Sequence, residues 1–512
     1  MHFTNLVKNF IFIAHFCAPL AVLRAEFREF RPLRILFISP SLSKSIVLSN
    51  GRAADALVRA GHNVTFWIPE MHRSNRVNGT PQLARVLHTT GLSTKFEEYI
   101  EGAVDYFDES VDALTLRRIE HAALADFCGS VMVRHVELGE LFAGEHFEIA
   151  LGAMIDPCWH GVAAYLRVPR FIWIATGALL DMYPQLLGIP NPISYVPSAI
   201  DNALGSRMSL AERVKNAFFY ISGKFLFDKL IAEETAIFRR HVTADFDALE
   251  TQVGRSAACV VYAHEFLDHV RPTTHLVLPV GLAAAEKYFS DSSQAPIILF
   301  SLGSAIPTHL VNRPSRRELF AAFRSLPQYQ FLVKISEADD YSRRLAANAA
   351  NVRLASWLPQ YELLGHPRVR LFITHAGFNS FAEASMRGVP LLALPIFFDQ
   401  NYNAALAVER GYALRLNKSR ITQRILRDAI LHLLDEDQGY INQVQKTARQ
   451  IADTTTRLHA SNARFVARVE FVARHRVAYA KFASLARARD TNFYYYDALA
   501  LILVFVYLLL SH

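Results

Sequence analysis

Cysteine is scarce in this chain: four in 512 residues, and one of them, Cys17, sits in an N-terminal apolar stretch. The remaining Cys128, Cys158 and Cys259 are odd in number and lack metal-type spacing. That argues against a disulfide framework or a zinc ribbon and predicts buried thiols. A Gly-x-Gly-x-x-Gly turn is missing throughout, which sets aside a dinucleotide oxidoreductase. Aromatic stacking platforms are missing among the basic residues, so the formal net charge of +7 reads as solvated faces on C-terminal helices and not as a nucleic-acid surface. Charged residues make up only 20% against 52% apolar, a balance that excludes intrinsic disorder.

Long apolar runs are confined to the two ends. From Phe10 to Leu23 an apolar stretch, broken by His15 and Pro19, follows Lys8 and precedes the small Ala25. It reads as a secretory signal peptide over residues 1–25, too short for an anchor helix, although Leu23 is an unusual residue two places before the cut. At 493–510 a second segment closes the chain. Its uninterrupted part, Ala498–Leu510, would rise only roughly 20 Å as a helix against about 30 Å of hydrocarbon. Crossing therefore needs Tyr494 to Tyr496 as an interface belt, with Asp497 beside it. Arg474, Arg476, Lys481, Arg487 and Arg489 precede the segment and no cation follows it, which on charge alone favours the reverse orientation. The signal peptide decides for a lumenal body, since long domains translocate largely regardless of charge. Of the sequons at Asn63, Asn78 and Asn417, Asn78 is the glycan candidate, because Asn63 starts a strand pattern and Asn417 a turn.

Between the ends the chain alternates strand and helix patterns. "RILFIS" (Arg34 to Ser39), "GRAADALVRAG" (Gly51 to Gly61) and "NVTFWI" (Asn63 to Ile68) form a βαβ unit, which implies a parallel sheet with a right-handed crossover. "FEIALGAMI" and "RFIWIAT" continue it. A Pro- and aromatic-rich stretch, Tyr183 to Phe227, irregular and then helical, forms a variable wall. A polar linker at 281–296 separates this first domain (26–280) from a second (297–440), whose strands are "IILFSLGS", "QFLVKI", "NVRLASW", "VRLFITH", "VPLLALP" and "YALRL". Helices follow over 441–490. The expected fold is α/β, two tandem Rossmann-like doubly wound domains plus a C-terminal membrane helix.

In such sheets ligands bind beyond the carboxyl ends of the strands, and the second domain places polar groups there. Gly303 and Ser304 follow "IILFS" as a turn; Trp357 and Gln360 offer a ring and an amide to a planar base. His375, Gly377, Asn379 and Ser380 make a corner before a helix N-terminus, suited to an anion. Glu383 could accept two vicinal hydroxyls, and Asp399 with Gln400 suit a sugar. Singly each has a bland reading, Trp357 as core and Asp399 as a helix N-cap among them. Together they favour one nucleotide-sugar site.

"WLPQYELLGHPRVRLFITHAGFNSFAEASMRGVPLLALPIFFDQNYNA" (Trp357 to Ala404), with "FSLGS", "SYVPS" and the two apolar ends, resembles the UDP-glycosyltransferase family, specifically the membrane-bound animal UDP-glucuronosyltransferases and their invertebrate relatives. The resemblance implies a GT-B-type fold and an inverting, detoxification-type transfer of a hexose from UDP-glucuronate or UDP-glucose to a lipophilic small molecule, without metal or resident cofactor. It implies an endoplasmic reticulum membrane location with a lumenal body, and leaves room for homo- or hetero-oligomers with relatives. Trp357 and Gln360 would hold uracil, Glu383 the ribose, and Ser304, His375, Asn379 and Ser380 the diphosphate. Asp399 and Gln400 would hold the sugar. Ala376 stands where a second glycine is usual, a minor departure if its φ is negative.

The first domain departs further. Family members carry a histidine that deprotonates the acceptor and an acidic residue that orients it; counting by motif, those places hold Ile46 and Ala153. His62 lies at the wrong sheet edge to substitute. Three expectations follow: a transferase that relies on donor alignment and readily ionised acceptors, a substitute base, with Asp156 ahead of Lys44, or a donor-binding pseudoenzyme that partners active relatives.

Overall fold

In a computed structural model, the chain forms two parallel sheets, each flanked by helices. The structure describes residues 31–475 apart from 74–80, 94, 103–106, 108–111, 200–202, 281–294, 305 and 458–460. The signal-peptide and tail segments, Asn78 and most of the expected linker lie outside these. Among the described residues, no helix is long and apolar enough to cross a membrane.

The first sheet comprises β1 (Arg34–Ile38), β2 (Asn63–Pro69), β3 (Arg85–Thr89), β4 (Ile149–Ala153), β5 (Phe171–Ala175), β6 (Ala258–Val261) and β7 (Val277–Pro279), in the order β3-β2-β1-β4-β5-β6-β7. The second comprises β8 (Ile297–Ser301), β9 (Gln330–Lys334), β10 (Val352–Ala355), β11 (Val369–Thr374), β12 (Leu391–Ala393) and β13 (Ala413–Arg415), ordered β10-β9-β8-β11-β12-β13. β4, β5, β8 and β12 are buried along their whole length. Helices cover both faces of a parallel sheet, so such strands read as continuous apolar runs. β3 is half-exposed at the sheet edge and β7 has only three residues, so neither leaves a clear pattern in the sequence.

Of the helices, those that bear on function are α1 (Lys44–Arg59), α2 (Ala113–Val133), α3 (Cys158–Tyr165), α4 (Leu210–His241), α5 (Phe378–Arg387), α6 (Gln400–Glu409) and α7 (Ser461–Arg474). α1 starts well before the expected Gly51, because Ser43 caps it through Ile46 N. α5 stops at Gly388, whose φ of 72° only glycine adopts freely. α7 returns to the first sheet, where Phe465, Val469 and Val472 share a core with Val47 and Leu57 of α1.

The buried-thiol expectation fails for two of the three cysteines. Cys128 on α2 and Cys158 at the start of α3 are disulfide-bonded with their Cα atoms 6.0 Å apart. Their separation of 30 residues says nothing of this, since the pairing depends on α2 and α3 meeting in one buried cluster. Cys259 remains a buried free thiol.

The two sheets are joined through a polar junction. Arg271 Nη2 donates to the Tyr402 hydroxyl at 2.5 Å, and that hydroxyl donates to Asp268 Oδ1 at 2.5 Å. Tyr402 belongs to α6 of the second domain, whereas Asp268 and Arg271 precede β7 of the first.

Candidate active site

Each strand order reverses once, between β1 and β4 and between β8 and β11. At such a reversal, adjacent connections leave to opposite faces and open a crevice. At the second, the turn Leu302-Gly303-Ser304 faces the corner His375-Ala376-Gly377. Gly303 has φ 78°, and a Cβ on Gly303 or Gly377 would lie 2.5 Å from the His375 ring, so both positions need the bare backbone. His375 is buried, and burial, helped by the cation of Lys334, lowers its pKa to about 3. It is therefore a neutral imidazole with one N–H to offer. Ser304 Oγ is buried and has no hydrogen-bond partner among the described residues. Asn379 Nδ2 reaches across to Ser49 Oγ of α1 at 3.4 Å. A diphosphate placed here would meet the Ser304 hydroxyl, the imidazole N–H and the N-terminus of α5.

Lys334, the last residue of β9, was not singled out by the sequence pattern. Its Nζ donates to Gly303 O at 3.0 Å and lies 4.8 Å from the centroid of Trp357. Burial first, then Lys44, lowers its pKa to about 8, against a raising influence from Glu383. Trp357 is 54% exposed, which rules out the core reading and leaves a ring face for stacking. Gln360 Nε2 donates to Glu383 Oε2 at 2.7 Å and to Ser380 Oγ at 3.1 Å. Burial raises the Glu383 carboxyl, while the Gln360 bond and the Arg52 guanidinium of α1 pull it down.

At the far end Asp399 is the N-cap residue of α6 but makes no side-chain cap bond. Asn403 Nδ2 donates both to Asp399 Oδ2 (2.8 Å) and to Ala376 O (3.0 Å), locking the two loops together. Burial raises the Asp399 carboxyl, offset by Asn403, the Phe378 N–H and Arg117 of α2. Gln400 turns its Oε1 inward to accept from Ile396 N and Phe397 N at 2.7 and 3.1 Å. Only its NH2 group is then left for a sugar. Ala376 corrects the expectation of negative φ: it sits at φ 62°, fully buried. Phe398, before Asp399, has φ 55°. Left-handed backbone costs a side-chain-bearing residue roughly 1–2 kcal/mol, and here it falls once within the anion corner and once just before Asp399, as strain at functional sites does.

The facing wall is the first sheet's own reversal. Ile46, half-buried in the first turn of α1, and Ala153, buried at the end of β4, hold no titratable group. Asp156 is fully buried; its Oδ1 accepts from Cys158 N at 3.0 Å and its Oδ2 has no partner. Burial raises its pKa to about 7. Glu234 of α4, also fully buried and with neither oxygen in a well-formed hydrogen bond among the described residues, is raised by burial and by Asp156, against a lowering influence of the nearby Cys158 N–H. The two acids form a closed pair in the first-domain interior. His62 accepts from Leu33 N at 3.3 Å and meets Glu470 at 3.1 Å, beside the amino end of β1. Arg52, Lys44 and Arg117, which bring positive charge to the cleft from the first domain, carry no motif. Their signal is position alone: Lys44, Ser49 and Arg52 share one side of a helix at 3.6 residues per turn.

Two parallel α/β domains with facing strand-end surfaces make a GT-B-type fold. Among solved structures, the chain matches the glycotransferase of kitacinnamycin with a TM-score of 0.60 at 17% identity, covering 86% of this chain and 100% of that one. A UDP-glucosyltransferase from Polygonum tinctorium matches with a TM-score of 0.60 at 15% identity, covering 88% and 100%. The model of the family described as UDP-glucoronosyl and UDP-glucosyl transferase matches residues 34–511, and the chain belongs to that family. Curated relatives include ugt-50 of Caenorhabditis elegans, named as a UDP-glucuronosyltransferase, 25% identical over 81% of each chain. UDP-glucuronosyltransferase 2A1 of Rattus norvegicus is 28% identical over 75% of this chain and 71% of its own.

Proposed function

We propose that the protein transfers a hexose from a UDP-sugar to a lipophilic small-molecule acceptor, with the donor laid along the carboxyl ends of β8–β12. The observation that carries this reading is the convergence of an unpartnered Ser304 hydroxyl, a neutral His375, the α5 N-terminus and Lys334 on one anion-sized corner. Uracil would stack on Trp357 with Gln360 at its edge, Glu383 would take the ribose, and Asp399 with the Gln400 amide would hold the hexose. Transfer would invert the anomeric carbon. The acceptor oxygen attacks it as the UDP oxygen leaves, and developing charge on the diphosphate is met by Lys334 and the α5 amides.

A general base is worth roughly 100- to 10,000-fold, and Ile46 cannot supply it. Readily ionised acceptors such as phenols then suit the site best. The Cys128–Cys158 disulfide supports placement of the body in an oxidising lumen, with residues 493–510 as its membrane segment. The test is turnover of a simple phenol with labelled UDP-glucuronate and UDP-glucose, alongside thermal shift with UDP. Conjugate formed with either donor is expected; UDP binding without conjugate would make the chain a donor-binding pseudoenzyme, and no UDP binding would overturn the donor site itself.

A further inference from the structure

α4 runs for 32 residues, and its first half carries apolar side chains on the outside. Leu210, Val214, Phe218, Ile221 and Phe225 are each between 40% and 70% exposed. At 3.6 residues per turn they project within roughly 80° of one another, as a strip about 24 Å long. The helix cannot roll to bury them, because its other face is pinned. Asn216 Nδ2 donates to Ile193 O and Val196 O, its Oδ1 accepts from Ser198 N, and Phe227, Leu230 and Ile231 lie in the core. Monomeric soluble proteins rarely leave so continuous an apolar strip in water.

Charge identifies what covers it. Arg213 and Lys224 fall on one shoulder of the strip, Lys215 and Lys229 on the other, and Lys215 Nζ stands 5.9 Å from the Phe219 ring. Glu212, on the opposite side, is engaged in the capping box with Ser209; Lys224 is paired with Asp228 at 2.5 Å and Lys229 with Glu233 at 3.6 Å, so Arg213 and Lys215 are the cations of the strip that no ion pair on the helix engages. A protein partner's interface core is depleted in lysine. A bilayer interface favours this pattern, with apolar side chains entering the acyl boundary while long cationic stems reach the headgroups. We propose that the first half of α4 docks the folded body on an anionic lipid surface, lying in the plane of the interface and not across it. The proposal stands apart from whether residues 493–510 span a membrane and from the identity of the acceptor.

The test uses the full chain in lipid nanodiscs with a Cys17→Ser background, since the other cysteines are disulfide-bonded or buried. A spin label is placed at Ile221→Cys, with a control at the exposed Arg424→Cys of the second domain. In discs of mixed neutral and anionic lipid doped with nickel-chelating headgroups, the Ile221 label is expected to relax several-fold faster than the Arg424 label. That excess should shrink when the anionic lipid is omitted, and should be lost in Phe218→Glu/Phe225→Glu, whose thermal unfolding should be unchanged because both side chains are exposed. Equal relaxation at the two positions overturns the proposal. Dipolar broadening between Ile221 labels on two copies also overturns it, by making the strip a self-association surface.

Discussion

Asp156 is the residue whose meaning changes most between chain and fold. Its folded pKa of about 7 lies above the ordinary aspartate value of about 3.9, so the folded chain holds a proton over that interval that the unfolded chain releases. Its contribution to stability is thus present below the unfolded value and lost as pH rises through the folded one. Asp156→Asn is expected to raise the unfolding midpoint at neutral and mildly alkaline pH and to flatten its pH dependence, measured by denaturant titration across the acidic to neutral range. A catalytic role would instead show as lost turnover with stability unmoved. Lys334 is the second such residue. With its pKa lowered to about 8, it loses charge under mildly alkaline conditions, so UDP affinity should fall as pH rises through that value. Lys334→Arg should remove the fall, because a guanidinium stays protonated there. Isothermal titration of UDP at several pH values reads both. His375, held neutral, should add no step near its ordinary pKa.

At the scale of elements, the β8 turn and the β11–α5 corner act as one clamp around His375. Gly377 has an ordinary φ of −58°, so Gly377→Ala strains no backbone; its methyl would instead push on the imidazole at 2.5 Å. Loss of a hydrogen bond to a charged phosphate costs about 1.5–3 kcal/mol, and UDP affinity should fall about 10- to 100-fold, as a UDP titration would show, with unfolding little changed. The α2–α3 disulfide belongs to this scale too. Closing a loop of 30 residues limits the unfolded chain by about 3–4 kcal/mol. Cys128→Ser/Cys158→Ser is expected to lower stability by that order in denaturant melts run without reductant, and added reductant should then change the variant little. These elements differ in legibility. The clamp was readable because glycine, histidine and asparagine follow an apolar strand directly. The disulfide was not, because α2 and α3 meet only once β4 is laid beside β1.

Over the whole molecule, function depends on two strand-end surfaces facing each other, fixed by the Asp268–Arg271–Tyr402 junction and by Asn379 meeting Ser49. If this closure puts Ile46 and Ala153 where acceptor activation takes place, Ile46→His with Ala153→Asp should raise phenol turnover by roughly 100-fold, the low end of general-base assistance. Unchanged kcat with intact UDP binding would show that the acceptor oxygen lies elsewhere. The alternating strands, the parallel sheets and the polar residues that follow the strands of the second domain could be read from the sequence alone. Each is a matter of local periodicity and of which residue follows a strand, and both survive in one dimension. The tertiary structure alone decided that Cys128 meets Cys158, that Asp156 is closed away beside Glu234, that Lys44, Arg52 and Arg117 bring charge to a site on the other domain, and that Ala376 bends to positive φ. Those outcomes rest on distances between segments far apart in the chain, which strand order and helix packing set and sequence spacing does not encode.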